Sequence, residues 1–194
     1  MKRHLLRYLA ISVLTLVGTL QAMADLTFSQ KTSGFPIVGS TTNAVFVVGK
    51  NDAEVVTTAC RCVIGDIKTI TGKQLALRNA IGDSDLPIIA GTIGQSDVLD
   101  ALVADGKVDT TGLTGVWEAY SLQLIQNPTE NISQALVIMG GTPRGTAYGL
   151  FEISRRIGVS PYIWWADVTP APMTNIYVQG DKTPVEKPSV QYRG

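Results

Sequence analysis

The sequence predicts an α/β domain: a mixed sheet with helices packed on it. Three observations carry that expectation. Continuous apolar runs at residues 44–48 and 86–91 each lead through turn residues into a helical pattern. The alternating stretch 117–126 and the apolar stretch 135–139 are joined by a polar loop, as in an antiparallel pair. Thr142-Pro143 opens a further helix and Gly158 closes it, a hydroxyl cap with Pro at the first helical position and Gly beyond the end.

Taken in order, Ala44-Val45-Phe46-Val47-Val48 has no polar face and reads as a buried strand. Asn51 or Asp52 can cap the segment that follows, with Glu54 in its first turn. Val55, Ala59, Val63 and Ile67 then recur every four residues, and Gly72 suits the left-handed position after the helix. Leu75-Ala76-Leu77 is a short strand candidate. Leu86-Pro87-Ile88-Ile89-Ala90-Gly91 is another strand, with Pro87 tolerated near its start. Ser96 is a good cap for a short helix through Val98, Leu99, Leu102 and Val103 that stops at Gly106. Residues 112–115 are a turn. Asn127-Pro128 should break the strand before it. In the third helix Ala147, Leu150, Phe151, Ser154 and Ile157 mark the buried face. Residues 175–178 read as a last strand, and residues 181–188 as a polar, proline-containing linker.

Residues 1–24 are an address. Lys2, Arg3 and Arg7 precede 13 mostly apolar residues, 8–20, and Ala22-Met23-Ala24 is a cleavage signal. The alternative, an uncleaved anchor, has too few apolar residues to span a bilayer comfortably. The expected location is secreted or periplasmic. About 170 residues remain, one ordinary domain, and 45% of the whole chain is apolar, enough for a core. Thirteen basic and sixteen acidic residues follow the signal, a net charge of −3. No basic run appears there, which argues against nucleic acid as partner.

The single histidine, His4, lies in the signal. The remaining chain therefore cannot build Ser-His-Asp or Cys-His catalysis or a histidine metal site. Cys60 and Cys62, two apart on a helix, point about 200° away from each other. A mutual disulfide is geometrically poor, and both read as small hydrophobes. No cofactor and no metal are expected.

Several segments invite a functional reading. Gly91-Thr92-Ile93-Gly94-Gln95-Ser96 is a strand-to-helix turn that could hold an anion on backbone N–H groups, but it lacks the phosphate-loop pattern. Arg144 sits in the first turn of the third helix, where a cation opposes the helix dipole. It could simply be solvated, or could reach a carboxylate on a neighbouring domain, with Tyr148 pointing the same way. Trp164 and Trp165, if extended, face opposite sides, one inward and one outward. An exposed Trp can stack on a sugar or bury at an interface. Asn131-Ile132-Ser133 matches a glycosylation sequon, with chance as its default explanation. The carboxylates, among them Asp52, Glu54, Asp66, Asp97, Asp100, Glu118, Glu152 and Asp167, are scattered and suit caps and solvated faces. Sugar hydrolysis needs two facing carboxyls about 5–9 Å apart, and no such pair is apparent.

Pro87-Ile88-Ile89-Ala90-Gly91-Thr92-Ile93-Gly94, Val116-Trp117-Glu118-Ala119-Tyr120 and Ala135-Leu136-Val137-Ile138 lead on to Arg144-Gly145-Thr146-Ala147-Tyr148-Gly149-Leu150. Gly158-Val159-Ser160-Pro161-Tyr162-Ile163-Trp164-Trp165-Ala166-Asp167-Val168 follows. In this order, over nearly the whole chain after the signal, these segments resemble glycoside hydrolase family 115, the xylan α-1,2-glucuronidases. The last motif is very specific. Gly141-Thr142-Pro143 departs from the family, which usually shows a Ser-Asp-Lys type sequence there.

The resemblance implies a hexosaminidase-type N-terminal α/β domain that precedes a catalytic barrel. Residues 25–180 would be that accessory domain. Residues 181–194 would be a linker and the start of a truncated barrel domain, Val190-Gln191-Tyr192-Arg193-Gly194 resembling its first strand. Barrel active sites form at the C-terminal ends of several strands, so no catalytic residue of the family maps onto this sequence. The implied function is that of a non-catalytic part of a secreted enzyme releasing α-1,2-linked (4-O-methyl)glucuronic acid from glucuronoxylan. Its partner would be the barrel, contacted through Arg144, Tyr148, Trp164 and Trp165, and possibly xylan itself. The alternative is a stand-alone secreted carbohydrate-binding domain.

Overall fold

The computed structural model describes residues 24–83, 85–166 and 168–190. Residues 1–23 of the proposed signal, Ser84, Asp167 and the last four residues, where a barrel strand was expected to begin, lie outside them. Its strands are β1 (Thr27–Ser29), β2 (Phe35–Val38), β3 (Val45–Val48), β4 (Ala76–Arg78), β5 (Pro87–Thr92), β6 (Tyr120–Thr129), β7 (Ile132–Gly140) and β8 (Ile176–Gln179). The helices are α1 (Glu54–Thr71), α2 (Asp97–Ala104) and α3 (Pro143–Arg156). A single 3₁₀ turn, Pro161–Trp164, follows α3.

Two sheets form. The larger runs β4-β3-β5-β7-β6, with β4, β3, β5 and β7 parallel and β6 antiparallel at the edge. The smaller is antiparallel, β1-β8-β2. The mixed α/β expectation therefore holds.

Both faces of the large sheet are covered, which explains why its strands read as unbroken apolar runs. Side chains alternate across the sheet with period two. Phe46, Val48, Ile88, Ala90, Leu136 and Ile138 face α1 and α3 in one cluster. Val47, Ile89, Val137 and Met139 face α2 in the other. The small sheet adds Phe35, Ile37, Ile176 and Val178 to the first cluster. Each such buried aliphatic side chain contributes about 1.5–3 kcal/mol.

α1 buries Val56, Ala59, Cys60, Val63, Ile64, Ile67 and Ile70, three to four residues apart. Gly72 ends it in the left-handed conformation (φ 71°), its N–H donating to the Lys68 carbonyl. Its start differs from expectation. The cap position is Ala53, with no side-chain bond. Asp52 instead accepts from the N–H of Ala53 and, across strands, from that of Thr92 at 2.7 Å. Val55, expected on the buried stripe, is exposed.

Four further expectations are corrected. β6 continues through Asn127-Pro128 to Thr129, with a register irregularity after Gln126 and Asn127 in the left-handed region (φ 50°). An edge strand tolerates a proline because the missing N–H faces outward. Phe151 is 43% exposed, and Glu152 takes the inward position on α3. Glu152 is reached there by Arg155 and Arg156, each bonding its carboxylate. Residues 181–187 are not a free linker. They run along the outer edge of β6, bridging at Gln123–Lys182 and Tyr120–Glu186, with Thr183 buried. The two tryptophans are not in an extended segment, since Trp164 closes the 3₁₀ turn and Trp165 follows it.

The beginning of the described chain is clasped to the turn after β8. The Ala24 amide donates to the Asp181 carboxylate, and the Asp181 amide donates back to the Ala24 carbonyl. Nearby, Arg156 ties α3 to β1: it bonds the Leu26 carbonyl and lies 5.9 Å from the Phe28 ring centre.

Candidate functional site

In an open sheet of parallel strands, ligands and partners meet the C-terminal strand ends, where loops and helix N-termini converge. Here β5 and β7 end at Thr92 and Gly140, beside the start of α3. Thr142 caps α3, its hydroxyl accepting from the Gly145 N–H at 3.2 Å. The same hydroxyl accepts from the Glu118 N–H at 3.2 Å. One side chain thus joins the helix start to the loop ahead of β6.

Two glycines let that loop meet the start of α3 backbone to backbone, and a third does the same for the end of β7. A Cβ on Gly141 would lie 2.2 Å from the Leu113 carbonyl oxygen, and one on Gly145 2.5 Å from that of Ala119. A Cβ on Gly140 would lie 2.2 Å from the Thr146 nitrogen. Beneath them Thr146 donates to the Gly91 carbonyl at 3.1 Å and shares a buried hydroxyl contact with Thr92 at 3.0 Å. These bonds lock α3 to β5.

Glu118 is the unusual residue of this region. Its backbone is left-handed (φ 53°) without being glycine, and its side chain is wholly buried. Neither carboxylate oxygen accepts a hydrogen bond of good geometry. The contact that the carboxylate has is ionic: the Arg144 Nε lies 3.1 Å from Oε1. Buried charge is retained only when compensated, and non-glycine residues in strained backbone cluster at functional positions. The Arg144 side chain is 56% exposed above it. Its Nη2 donates to the Tyr148 hydroxyl at 3.2 Å, and that bond, with the charge of Glu118, raises the guanidinium pKa above its usual value. Glu118 thereby offsets the unfavourable placing of a cation at a helix start.

Arg144 and Tyr148 are thus brought together, one helical turn apart. Arg144 sits in the first turn of α3, whereas Trp165 lies beyond the helix, after the 3₁₀ turn that follows it. Trp165 is 87% exposed. The Trp164 side chain lies outside the described residues. Trp117, 44% exposed, adjoins Glu118 on the loop. Sequence reasoning grouped Glu118 with solvated carboxylates. Only its place directly before the alternating strand, after a glycine-rich turn, hinted otherwise.

The Gly91 to Ser96 turn offers an anion little. Its N–H groups at Thr92, Gly94, Gln95 and Ser96 already donate to Asp52, Asp100 and the Thr92 carbonyl. The Cys60 thiol is buried and unpaired, its pKa pushed up to about 12 by desolvation, while Cys62 is exposed. Among the described residues no group of three or more Asp, Glu, Cys or His could hold a metal ion.

A search of solved structures places this arrangement. A family GH115 4-O-methyl-α-glucuronidase, BtGH115A, with specificity for decorated arabinogalactans, superposes with a TM-score of 0.63 at 32% sequence identity. The match covers 77% of this chain and 18% of that one. The chain is a GH115-like domain. It therefore represents a partial domain of a glycoside hydrolase, spanning less than a fifth of the neighbour's length. The structure of CpGH84D is also similar, at 12% identity and a TM-score of 0.44, over 83% of this chain and 22% of that one. No family model matches the sequence, and no curated protein does.

Proposed function

We propose that this GH115-like domain is the non-catalytic N-terminal domain of a secreted glycoside hydrolase that removes α-1,2-linked (4-O-methyl)glucuronic acid from glucuronoxylan. The observation that carries this reading is the asymmetry of the match: most of this chain corresponds to a small fraction of a glucuronidase. The side-chain chemistry agrees. A cleft of about 920 Å³ is lined by Lys50, Arg61 and Arg78 and by no Asp or Glu. Glu118, the one wholly buried carboxylate of the candidate site, is paired with an arginine, not with a second acid. Glycosidic cleavage by opposed carboxyls has no foundation in such a set.

The role in the parent enzyme is to dock on the catalytic barrel and shape the rim of its site. Arg144 and Tyr148, held by Glu118, form one contact point, and Trp164 and Trp165 beyond α3 form another. Residues 25–180 make up the domain, the signal at 1–24 exports it, and residues 181–194 lead toward the barrel. Incubation of the purified chain with aldouronic acids tests the reading. No glucuronic acid is expected, and its release overturns the non-catalytic assignment. The neighbour acts on decorated arabinogalactans, so glucuronoxylan and arabinogalactan fragments are to be assayed side by side.

The exposure of Trp165 supports one second reading, a carbohydrate-binding domain acting by itself. Retention on insoluble xylan that Trp165→Ala abolishes would establish it.

A further inference from the structure

A second feature of the same sheet edge lies two strands away from Arg144, at the C-terminal ends of β3 and β4. There a cleft of about 920 Å³ opens between α1 and the loop after β4. Its lining includes Lys50, Thr57, Arg61, Arg78 and Asn79. Three of its eleven lining residues are cations and none is acidic, in a chain whose net charge after the signal is −3.

The cations are available and one wall is built. Among the described residues Lys50 and Arg61 have no ion-pair partner. Arg78 is anchored: its Nη1 donates to both Asp85 oxygens at 2.8 and 2.9 Å. Asp85 also accepts from the Gly82 N–H at 2.8 Å, and its own amide donates to the Gly82 carbonyl. That staple fixes the far wall and, among the described residues, leaves the Nε and Nη2 edge of a half-exposed guanidinium without a partner. Such an edge matches a carboxylate in two-point contact.

Size and composition select the ligand. The volume stands at the upper end of ligand sites, far beyond a single inorganic anion. No aromatic residue lines the cleft, so neither stacked bases nor neutral sugars find a platform. What remains is an extended chain that carries spaced carboxylates and hydroxyls. We propose that this cleft binds the uronate carboxylates of an acidic saccharide chain, with Lys50, Arg61 and Arg78 as the charge-recognising side chains and Asn79 and Thr57 toward the hydroxyls. The choice of saccharide over acidic polypeptide rests on the glycoside hydrolase reading above. The site is separate from the Arg144 contact and would hold a polymer near the enzyme.

Binding measured by titration calorimetry at low salt tests it, with a xylo-oligosaccharide bearing 4-O-methylglucuronic acid as the probe. The same oligosaccharide with its carboxyl reduced, inorganic sulfate and poly-glutamate serve as comparisons. The acidic oligosaccharide is expected to bind at least about tenfold more tightly than its reduced form. Lys50→Gln with Arg61→Gln, both at exposed positions, should weaken it at least about fivefold without altering the circular dichroism. Equal binding of the acidic and reduced forms, indifference to the double substitution, or no binding at millimolar concentration overturns the proposal. So does equal or tighter binding of poly-glutamate or sulfate, which would mark a peptide or simple anion site. None of these outcomes touches the non-catalytic reading, which the release assay decides alone.

Discussion

The seating of the loop before β6 on α3 can be tested through two glycines with opposite surroundings. A Cβ at Gly145 would stand 2.5 Å from the Ala119 carbonyl oxygen and 3.1 Å from the Glu118 carbonyl carbon. Carbon–oxygen contacts normally settle at about 3.3–3.6 Å. The loop or the helix must therefore retreat by roughly 1 Å, against backbone and not against a flexible side chain. Overpacking of this kind costs about 1–3 kcal/mol, and the better helix propensity of alanine returns about 0.5–1 kcal/mol. Gly145→Ala should accordingly lose about 1–2 kcal/mol. Gly65, in the middle of α1, meets nothing within 4 Å, so Gly65→Ala should gain about 0.5–1 kcal/mol. For a chain of this length each kcal/mol moves Tm by about 2–4 °C. Thermal and urea unfolding, followed by tryptophan fluorescence and far-ultraviolet dichroism, read both changes. A stabilised Gly145→Ala variant would refute the backbone contact that buries Glu118 and places Arg144.

Two other measurements probe independent parts of the structure. Burial pushes the Glu152 carboxyl up, but hydrogen bonds from Arg155 and Arg156 outweigh it and lower the pKa. Asp109 is held low by its hydrogen bond from Lys182. Depressed carboxylates stabilise the fold fully above their unfolded pKa values, about 4. Urea midpoints should thus be flat toward neutrality and fall as pH drops below about 4, less steeply in Glu152→Gln; an unchanged slope would count against the pair. Thiol alkylation of the native chain should modify Cys62 alone, because Cys60 is buried and protonated, and Cys60 should react only in denaturant. Native labelling of Cys60 would contradict the packing of α1.

The parts of the fold that were legible are those where local chemistry dictates local geometry. Gly72 beyond α1, Ser96 before α2 and Thr142-Pro143 before α3 act through neighbours within a turn, so the sequence order alone reveals them. The central strands are apolar on both faces because helices cover both. The small sheet was not legible beyond β8. Its strands are three or four residues long, and β8 pairs across about 140 residues with β1 and β2, so no local pattern announces them. Asp52 looked like a cap and instead spans 40 residues to Thr92. Pro128 looked like a terminator because nothing local says that β6 is an edge.

The candidate site divides in the same way. Arg144 stood out because a cation is misplaced at a helix start, and Tyr148 followed from the spacing of one turn. Their partner Glu118 could not be found, since its burial depends on Gly141 and Gly145, which let a distant loop close onto the helix start. The basic cleft is equally non-local: Lys50, Arg61 and Arg78 belong to three different elements, and only the parallel pairing of β3 with β4 sets them around one space.

The close approach of Gly180 to Asp25, where a Cβ would stand 2.4 Å from the Asp25 carbonyl oxygen, has a topological corollary that outlasts removal of the signal. Because the first strand and the turn after the last one meet at one corner, before the chain runs on along β6, the unit resembles a bead hung from a single knot. Sequence fused at either side leaves the other undisturbed, and a short bridge across the corner would permit a circular permutant opened at the exposed Asp105-Gly106-Lys107 bend. Mechanical tension applied at the two ends would first peel residues 182–186 from β6 and then open this corner, well before it reached the strands inside.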